Sequence, residues 1–253
     1  MPRGPRLKSP SGVYHVMMRG VNKQAIFEDD SDRYKLLETL KRYKPVSEFK
    51  LYAYCLMNNH IHLLIREEKE PLAKAIQRIS SSYVHWYNAK YDRVGPLFQG
   101  RYRSENVLDS AYFLTVLRYI HQNPLKAGLS NDVLTSRWTS IAAYYTSSDD
   151  LVDVDLGLRL FSPDRKKSIP LFTAYMQEKN DDTCLTYSDK VRLEDEEIRS
   201  FLKLKGVTNT SALQRLEIKE RNAILLELKE MEGVSVRQLS RLTGISRSVI
   251  GRL

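Results

Sequence analysis

The sequence predicts an α+β fold: a ferredoxin-like antiparallel sheet with one added helix that bears a tyrosine, then a helical region and a C-terminal helix-turn-helix. Three observations predict it. Four short stretches, near residues 12–19, 49–57, 60–65 and 101–107, have the composition or period-two alternation of strands. Between them the chain orders itself as strand, helix, strand, strand, helix, strand, helix, and the first six elements give the split βαβ order of a ferredoxin-like sheet. At the far end, two short apolar-periodic segments flank Gly244.

Each element has its own local reason. Gly12 to Arg19 alternates Val13, His15 and Met17 on one face with Tyr14, Val16 and Met18 on the other. Asp30 to Asp32 offers N-cap candidates for a helix bearing Tyr34, Leu37 and Leu40, which should end near Pro45. Phe49 to Met57 is apolar-rich and suits a strand. Asn58-Asn59 suits a tight turn because Asn tolerates positive φ. His60 to Ile65 is then the returning strand. Leu72 to Tyr91 reads as a long helix with Ile76, Ile79, Tyr83 and Trp86 on its apolar face. After a Gly-Pro loop comes a short strand around Arg101 to Val107. Asp109 caps a last helix that ends near Pro124.

The boundaries expected are a first domain over residues 1–130, a helical connecting region over 131–193 and a second, helical domain over 194–253. The acidic run Asp149, Asp150, Asp153 and Asp155 marks a composition shift, and the connecting region, with Trp138, Tyr144, Tyr145 and Ile169 to Met176, should pack on the first domain. In the second domain, Glu217 to Met231 supplies a helix. Ser235 can cap a helix with Val236, Leu239 and Leu242, and Ser246 one with Val249, Ile250 and Leu253. A plain αα-hairpin has the same pattern. Ser246, Arg247, Ser248 and Arg252 tip the reading toward DNA recognition, because they put polar and basic groups on the second helix.

Composition sets outer bounds. The chain has 253 residues, 42% hydrophobic and 28% charged, an ordinary globular balance. No apolar run approaches a membrane span and no apolar signal region follows the basic N-terminus, so the expectation is a cytoplasmic protein with no membrane partner. Cys55 and Cys184 are far apart and read as reduced thiols. The net charge of +9 is unevenly spread. Residues 1–24 carry Arg3, Arg6, Lys8, Arg19 and Lys23 and no acids; Arg93, Arg101 and Arg103 cluster near Gly95 and Gly100; Arg237, Arg241, Arg247 and Arg252 close the chain. Such clusters are solvated surface or phosphate-binding surface.

The chemistry centres on His60-Ile61-His62. On a strand, both imidazoles point the same way and Ile61 the other, so the pair is ready for one divalent metal. Alone, an apolar-flanked His-x-His is more often structural. His15 could face the same sheet surface, Glu67 and Glu68 lie too far along the strand, and the last helix offers His121 and Asn123. Tyr119 and Asn123, four residues apart, share a helical face and could serve as nucleophile and ligand. By position alone, Tyr112 and Tyr102 are equal contenders with Tyr119.

A family resemblance decides between them. His60-Ile-His62 after Asn58-Asn59, then Phe98-Gln-Gly-Arg101-Tyr-Arg103, then Tyr119-Ile-His-Gln-Asn123-Pro124, resembles the IS200-like single-tyrosine transposases. These are HUH endonucleases and include the REP-associated tyrosine transposases. Tyr14 to Gly20 and Arg137-Trp-Thr-Ser140 fit as well, and the resemblance covers about residues 10 to 180. It implies metal histidines at His60 and His62, a third ligand at Asn123 and a nucleophile at Tyr119. It also implies Mg²⁺ or Mn²⁺ and transesterification on single-stranded, hairpin-bearing DNA through a 5′-phosphotyrosine. Arg19, Arg101 and Arg103 are the candidate backbone contacts. The helix-turn-helix adds possible duplex binding, and relatives act as monomers or as homodimers. The competing classes are a non-catalytic or domesticated regulator working through the helix-turn-helix, and a metal-dependent RNA-processing enzyme, in which a nucleophilic tyrosine has no clear purpose. One local tension is that Asn123 precedes Pro124, and residues before proline avoid helical dihedrals.

Overall fold

The computed structural model describes residues 7–146, 150–186, 193–231 and 233–253. Arg3, Arg6 and Asp149 lie outside the described residues. The chain divides into two compact units, residues 1–186 and 187–253.

The first unit is built on four antiparallel strands: β1 (Val13–Arg19), β2 (Lys50–Met57), β3 (His60–Arg66) and β4 (Arg103–Asn106), in the order β2-β3-β1-β4. Helices α1 (Asp30–Ser47) and α2 (Leu72–Lys90) connect them, and α3 (Ser110–Lys126) follows β4. Directly opposed residues in an antiparallel pair share a face. The register pairs Met17 with His62 and Arg103, Arg19 with His60, and His15 with Leu64 and Glu105, so these residues line one face. Val16, Met18, Ile61 and Leu63 line the other. They are buried in the same core as Leu36 and Leu40 of α1 and Ile76, Ile79 and Tyr83 of α2. Complete burial of a side chain of this size contributes about 1.5–3 kcal/mol.

Several local expectations shift. The cap of α1 is Asp29, whose carboxylate accepts from the amides of Ser31 and Asp32, while Asp32 reaches back to the amide of Asp29. Its buried face carries Leu36 and Leu40, whereas Tyr34 is exposed and meets Trp138 edge-on. The helix passes through Pro45 and ends at Ser47, two residues beyond the proline. Neither Asn58 nor Asn59 adopts a positive φ. Their side chains hold the turn instead: Asn58 Oδ1 accepts from Arg33, and Asn59 Nδ2 donates to the Lys23 carbonyl. β4 has only four residues, and Arg101 lies before it, in the bend after Gly100.

The expected connecting region supplies a 3₁₀ turn (Ser140–Tyr144), α4 (Val154–Arg159) and α5 (Arg165–Gln177). Ile141, Tyr144, Leu158, Phe172 and Met176 belong to the core of the first unit. The second unit holds α6 (Asp195–Leu204), α7 (Thr210–Arg215), α8 (Ile218–Glu230), α9 (Val236–Thr243) and α10 (Arg247–Arg252), around Ile198, Leu202, Leu225, Leu239 and Ile250. The Ser235 hydroxyl caps α9 by accepting from the Gln238 amide. Gly244 ends α9 at φ 70°, a left-handed conformation that favours glycine. Ser246 occupies the N-cap position of α10, but its side chain makes no cap bond and meets Ser248 Oγ instead.

Candidate active site

Loops zipped together by backbone bonds fix one end of the sheet. The Gly20 amide donates to the Asn59 carbonyl, Val21 to Leu97, and Gln99 to Arg19. A Cβ at Gly20 would stand 2.2 Å from the Gln24 carbonyl oxygen, so only glycine lets these loops close. Here Arg19 and His60 sit opposite each other in the β1–β3 register, with His62 two residues further in.

The two rings of His60 and His62 lie edge to face, centroids 5.1 Å apart. His60 Nδ1 is 2.7 Å from Asn59 Oδ1, an acceptor, so Nδ1 carries the hydrogen and Nε2 keeps its lone pair. His62 Nδ1 lies 2.9 Å from His15 Nε2. The His15 ring is 5.1 Å from His62 by centroid, so β1 does bring a third imidazole to this face. Burial pushes His15 down to about 3 and His60 down to about 4, the latter helped by the Arg19 charge. It also holds His62 well below the usual imidazole value, with His15 and His60 adding to the effect. All three rings are therefore neutral near neutral pH, the state in which imidazole binds metal.

Helix α3 crosses this face. Asp109 caps it through the Tyr112 amide, and it continues through Pro124 to Lys126, so Asn123 stays helical despite the proline. Asn123 Nδ2 donates to the Tyr119 carbonyl, 2.8 Å away, which leaves Oδ1 as its acceptor end. The Tyr119 ring lies 5.8 Å by centroid from both His15 and His62. Burial raises the Tyr119 pKa, while hydrogen bonds with Thr186 and Asn123 oppose the rise. The Lys126 ammonium is 5.6 Å from the Tyr119 ring centre.

The other candidates are placed elsewhere. His121 is fully buried against Tyr144 and Phe172, with Nε2 2.8 Å from Ser140 Oγ, and is a core residue. Glu67 accepts from the Tyr14 phenol and the Leu72 amide, and Glu68 pairs with Arg66. Tyr112 bonds Glu105 and Cys184. Arg103 shares the His62 face through Met17 and donates to the Thr186 carbonyl. Arg101 is exposed beside Tyr102 and Ser104. In the second unit, Ser246, Arg247, Ser248 and Arg252 are all exposed on or beside α10, whereas Arg241 is tied to Asp195. Sequence reading gave no role to Thr186, Glu105 or Lys126. Lys126 was the one with a signal, since it sits seven residues after Tyr119 on the same helical face.

Among the described residues, no three His, Cys, Asp or Glu side chains form a metal cluster. An ion here would draw on His60, His62 and the Asn123 amide, one helical turn from Tyr119. That donor set fits: two neutral imidazoles with Nδ1 already engaged, and one amide oxygen.

The face thus combines an antiparallel sheet, a pair of histidines and a tyrosine-bearing helix packed against them. Residues 8–123 match the family described as Transposase IS200 like. The fold is shared with the structure of a REP-associated tyrosine transposase bound to a REP hairpin, at 15% identity and TM-score 0.51, over 60% of this chain and 94% of that one. A crystal structure from Deinococcus radiodurans R1 assigned to a transposase also matches, at 16% identity and TM-score 0.34, over 48% of this chain and 95% of that one. No curated protein matches the chain in sequence.

Proposed function

We propose that the protein cleaves and rejoins single-stranded DNA with Tyr119 as nucleophile, and so acts as a transposase. One observation carries the reading: Tyr119 packs on the ring of His62, beside His60 and one helical turn from Asn123. His60 and His62 through Nε2, and Asn123 through Oδ1, would hold Mg²⁺ or Mn²⁺. When bound, such an ion supplies positive charge to a non-bridging oxygen of the scissile phosphate.

The residues of the chain do the rest. The Tyr119 oxygen bonds to phosphorus as the P–O3′ bond breaks, giving a 5′-phosphotyrosine and a free 3′-hydroxyl that takes up a proton. A phenol with a raised pKa must lose its proton first. Side-chain hydrogen bonds with Thr186 and Asn123 favour the phenolate. The covalent link conserves the phosphodiester, so a second hydroxyl can rejoin the strand without ATP. Arg19 and Arg103 flank the histidines on the same face, and Arg101 lies just before β4; together they would hold backbone phosphates.

The REP hairpin held by the structural neighbour supports hairpin-bearing single strands as the substrate class. Residues 235–253, with Ser246, Arg247, Ser248 and Arg252 exposed, would act as a helix-turn-helix on duplex DNA. Action in the cytoplasm belongs to the same proposal, which holds for a monomer or a homodimer. Among the described residues no helix is long and apolar enough to cross a membrane. The test is incubation with Mn²⁺ and single-stranded hairpin DNA. The expected result is a covalent protein–DNA adduct, absent in Tyr119→Phe and in the presence of a chelator. An adduct that persists in Tyr119→Phe refutes the assignment.

A further inference from the structure

One buried nitrogen on the site face stands without a hydrogen-bond partner. His15 is fully buried, and its Nδ1 makes no hydrogen bond. The nearest carboxylate is Glu105, its partner in the β1–β4 register, with Oε2 3.9 Å away. Glu105 is held in place from outside the sheet: the Leu185 amide donates to Oε2, and the Tyr112 phenol bonds the same carboxylate. On its other side the His15 ring touches His62, Nε2 to Nδ1, at 2.9 Å. Glu105, His15 and His62 therefore form one line across three strands, ending at a candidate metal ligand.

Only one hydrogen can occupy the contact between two neutral imidazoles. If His15 Nε2 carried it, His15 Nδ1 would turn a lone pair toward the Glu105 carboxylate, and His62 Nε2 would carry the remaining N–H. A lone pair would then face the carboxylate, an unfavourable arrangement, and His62 could not ligate through Nε2. If His62 Nδ1 carries it, His15 Nδ1 turns an N–H toward the carboxylate, and His62 Nε2 keeps its lone pair. The carboxylate favours the second arrangement. A ligand histidine commonly has its other nitrogen fixed by such a partner.

The geometry points to His15 and Glu105 as positioning residues that set His62 in the Nδ1–H form, presenting Nε2 to a divalent cation. This rests on the metal reading above. His15 itself is not a ligand, since its Nε2 is spent on His62.

The first test needs no metal. Long-range ¹H–¹⁵N correlation on the metal-free full chain reads histidine tautomers directly. The expected result is His62 as Nδ1–H, with Glu105→Gln shifting the population toward Nε2–H. His62 found as Nε2–H in the wild type overturns the proposal. The second test is Mn²⁺ binding followed by electron paramagnetic resonance, without DNA. His15→Phe should bind about 10–100-fold more weakly. His15→Gln, whose side-chain oxygen can accept from His62 Nδ1, should recover most of the loss. Unchanged affinity in His15→Phe, with binding lost in His62→Ala, overturns the proposal and leaves the metal reading intact. Unchanged affinity in His62→Ala overturns the metal reading, and this inference with it.

Discussion

Burial keeps four of the five histidines neutral: His15 and His121 are pushed down to about 3, His60 to about 4, and His62 well below the usual value. An unfolded histidine titrates near about 6.5. A group depressed in the fold stabilises it above the unfolded pKa and loses that contribution as pH falls toward the folded one. In metal-free buffer, stability should thus decline as pH drops through the window from about 6.5 to about 4. Denaturant titrations should give a lower midpoint at about pH 5 than at about pH 7.5, with net proton uptake on unfolding. Equal midpoints would mean the rings are protonated or hydrated in the fold. The sequence made His60, His62 and His15 legible because a strand alternates faces. It did not separate His121 from them, since only packing against Tyr144 and Phe172 shows that ring to be core. Thr186 and Glu105 were invisible because their roles depend on a segment that returns from far along the chain: the Leu185 amide reaches Glu105.

Helix α3 presents different faces to different neighbours, and that fixes the aim of Tyr119. Behind the tyrosine, Arg118 is buried, pairs with Asp182 and Glu178, and lies 4.1 Å from the centre of the Tyr175 ring. Gln122 donates to the carbonyls of Met176 and Glu178. These bonds clamp the helix to the chain after α5. Arg118→Ala should lower unfolding free energy by about 2 kcal/mol, the scale of lost charged hydrogen bonds, as read by chemical denaturation. A change within about 0.5 kcal/mol would show that the clamp carries no load. The caps at Asp109 and Ser235 were readable, because each places an oxygen before a free helix N-terminus. The helix ends expected near Pro45 and Pro124 fall two residues further on, at Ser47 and Lys126. Arg101 was placed on a strand that starts only at Arg103, since the bend at Gly100 interrupts the run.

At the level of the whole chain, each unit has its own apolar core, one around the sheet and one around Leu225 and Leu239. The site residues of the histidine–tyrosine cluster all fall in the first unit. A chain lacking residues 193–253 should therefore stay folded and still form the Mn²⁺-dependent adduct at high hairpin concentration. Its duplex affinity should fall, and its salt dependence should become shallower with the loss of Arg247 and Arg252. Gel-shift titrations at several salt concentrations, with adduct assays in parallel, would read both. A folded truncation with no adduct at any DNA concentration would show that the second unit takes part in the chemistry. The net charge of +9 pointed toward nucleic acid without saying which unit binds what.

The claim that everything else leans on is that Tyr119, not Tyr112 or Tyr102, attacks the DNA. Trypsin cuts after Arg118 and after Arg103, so the three tyrosines fall in three different peptides. Mass spectrometry of the nuclease-trimmed, trypsin-digested adduct should find the nucleotide on the peptide that begins at Tyr119. A nucleotide on the peptide containing Tyr112 or on that containing Tyr102, or no tyrosine-linked nucleotide at all, would contradict the account.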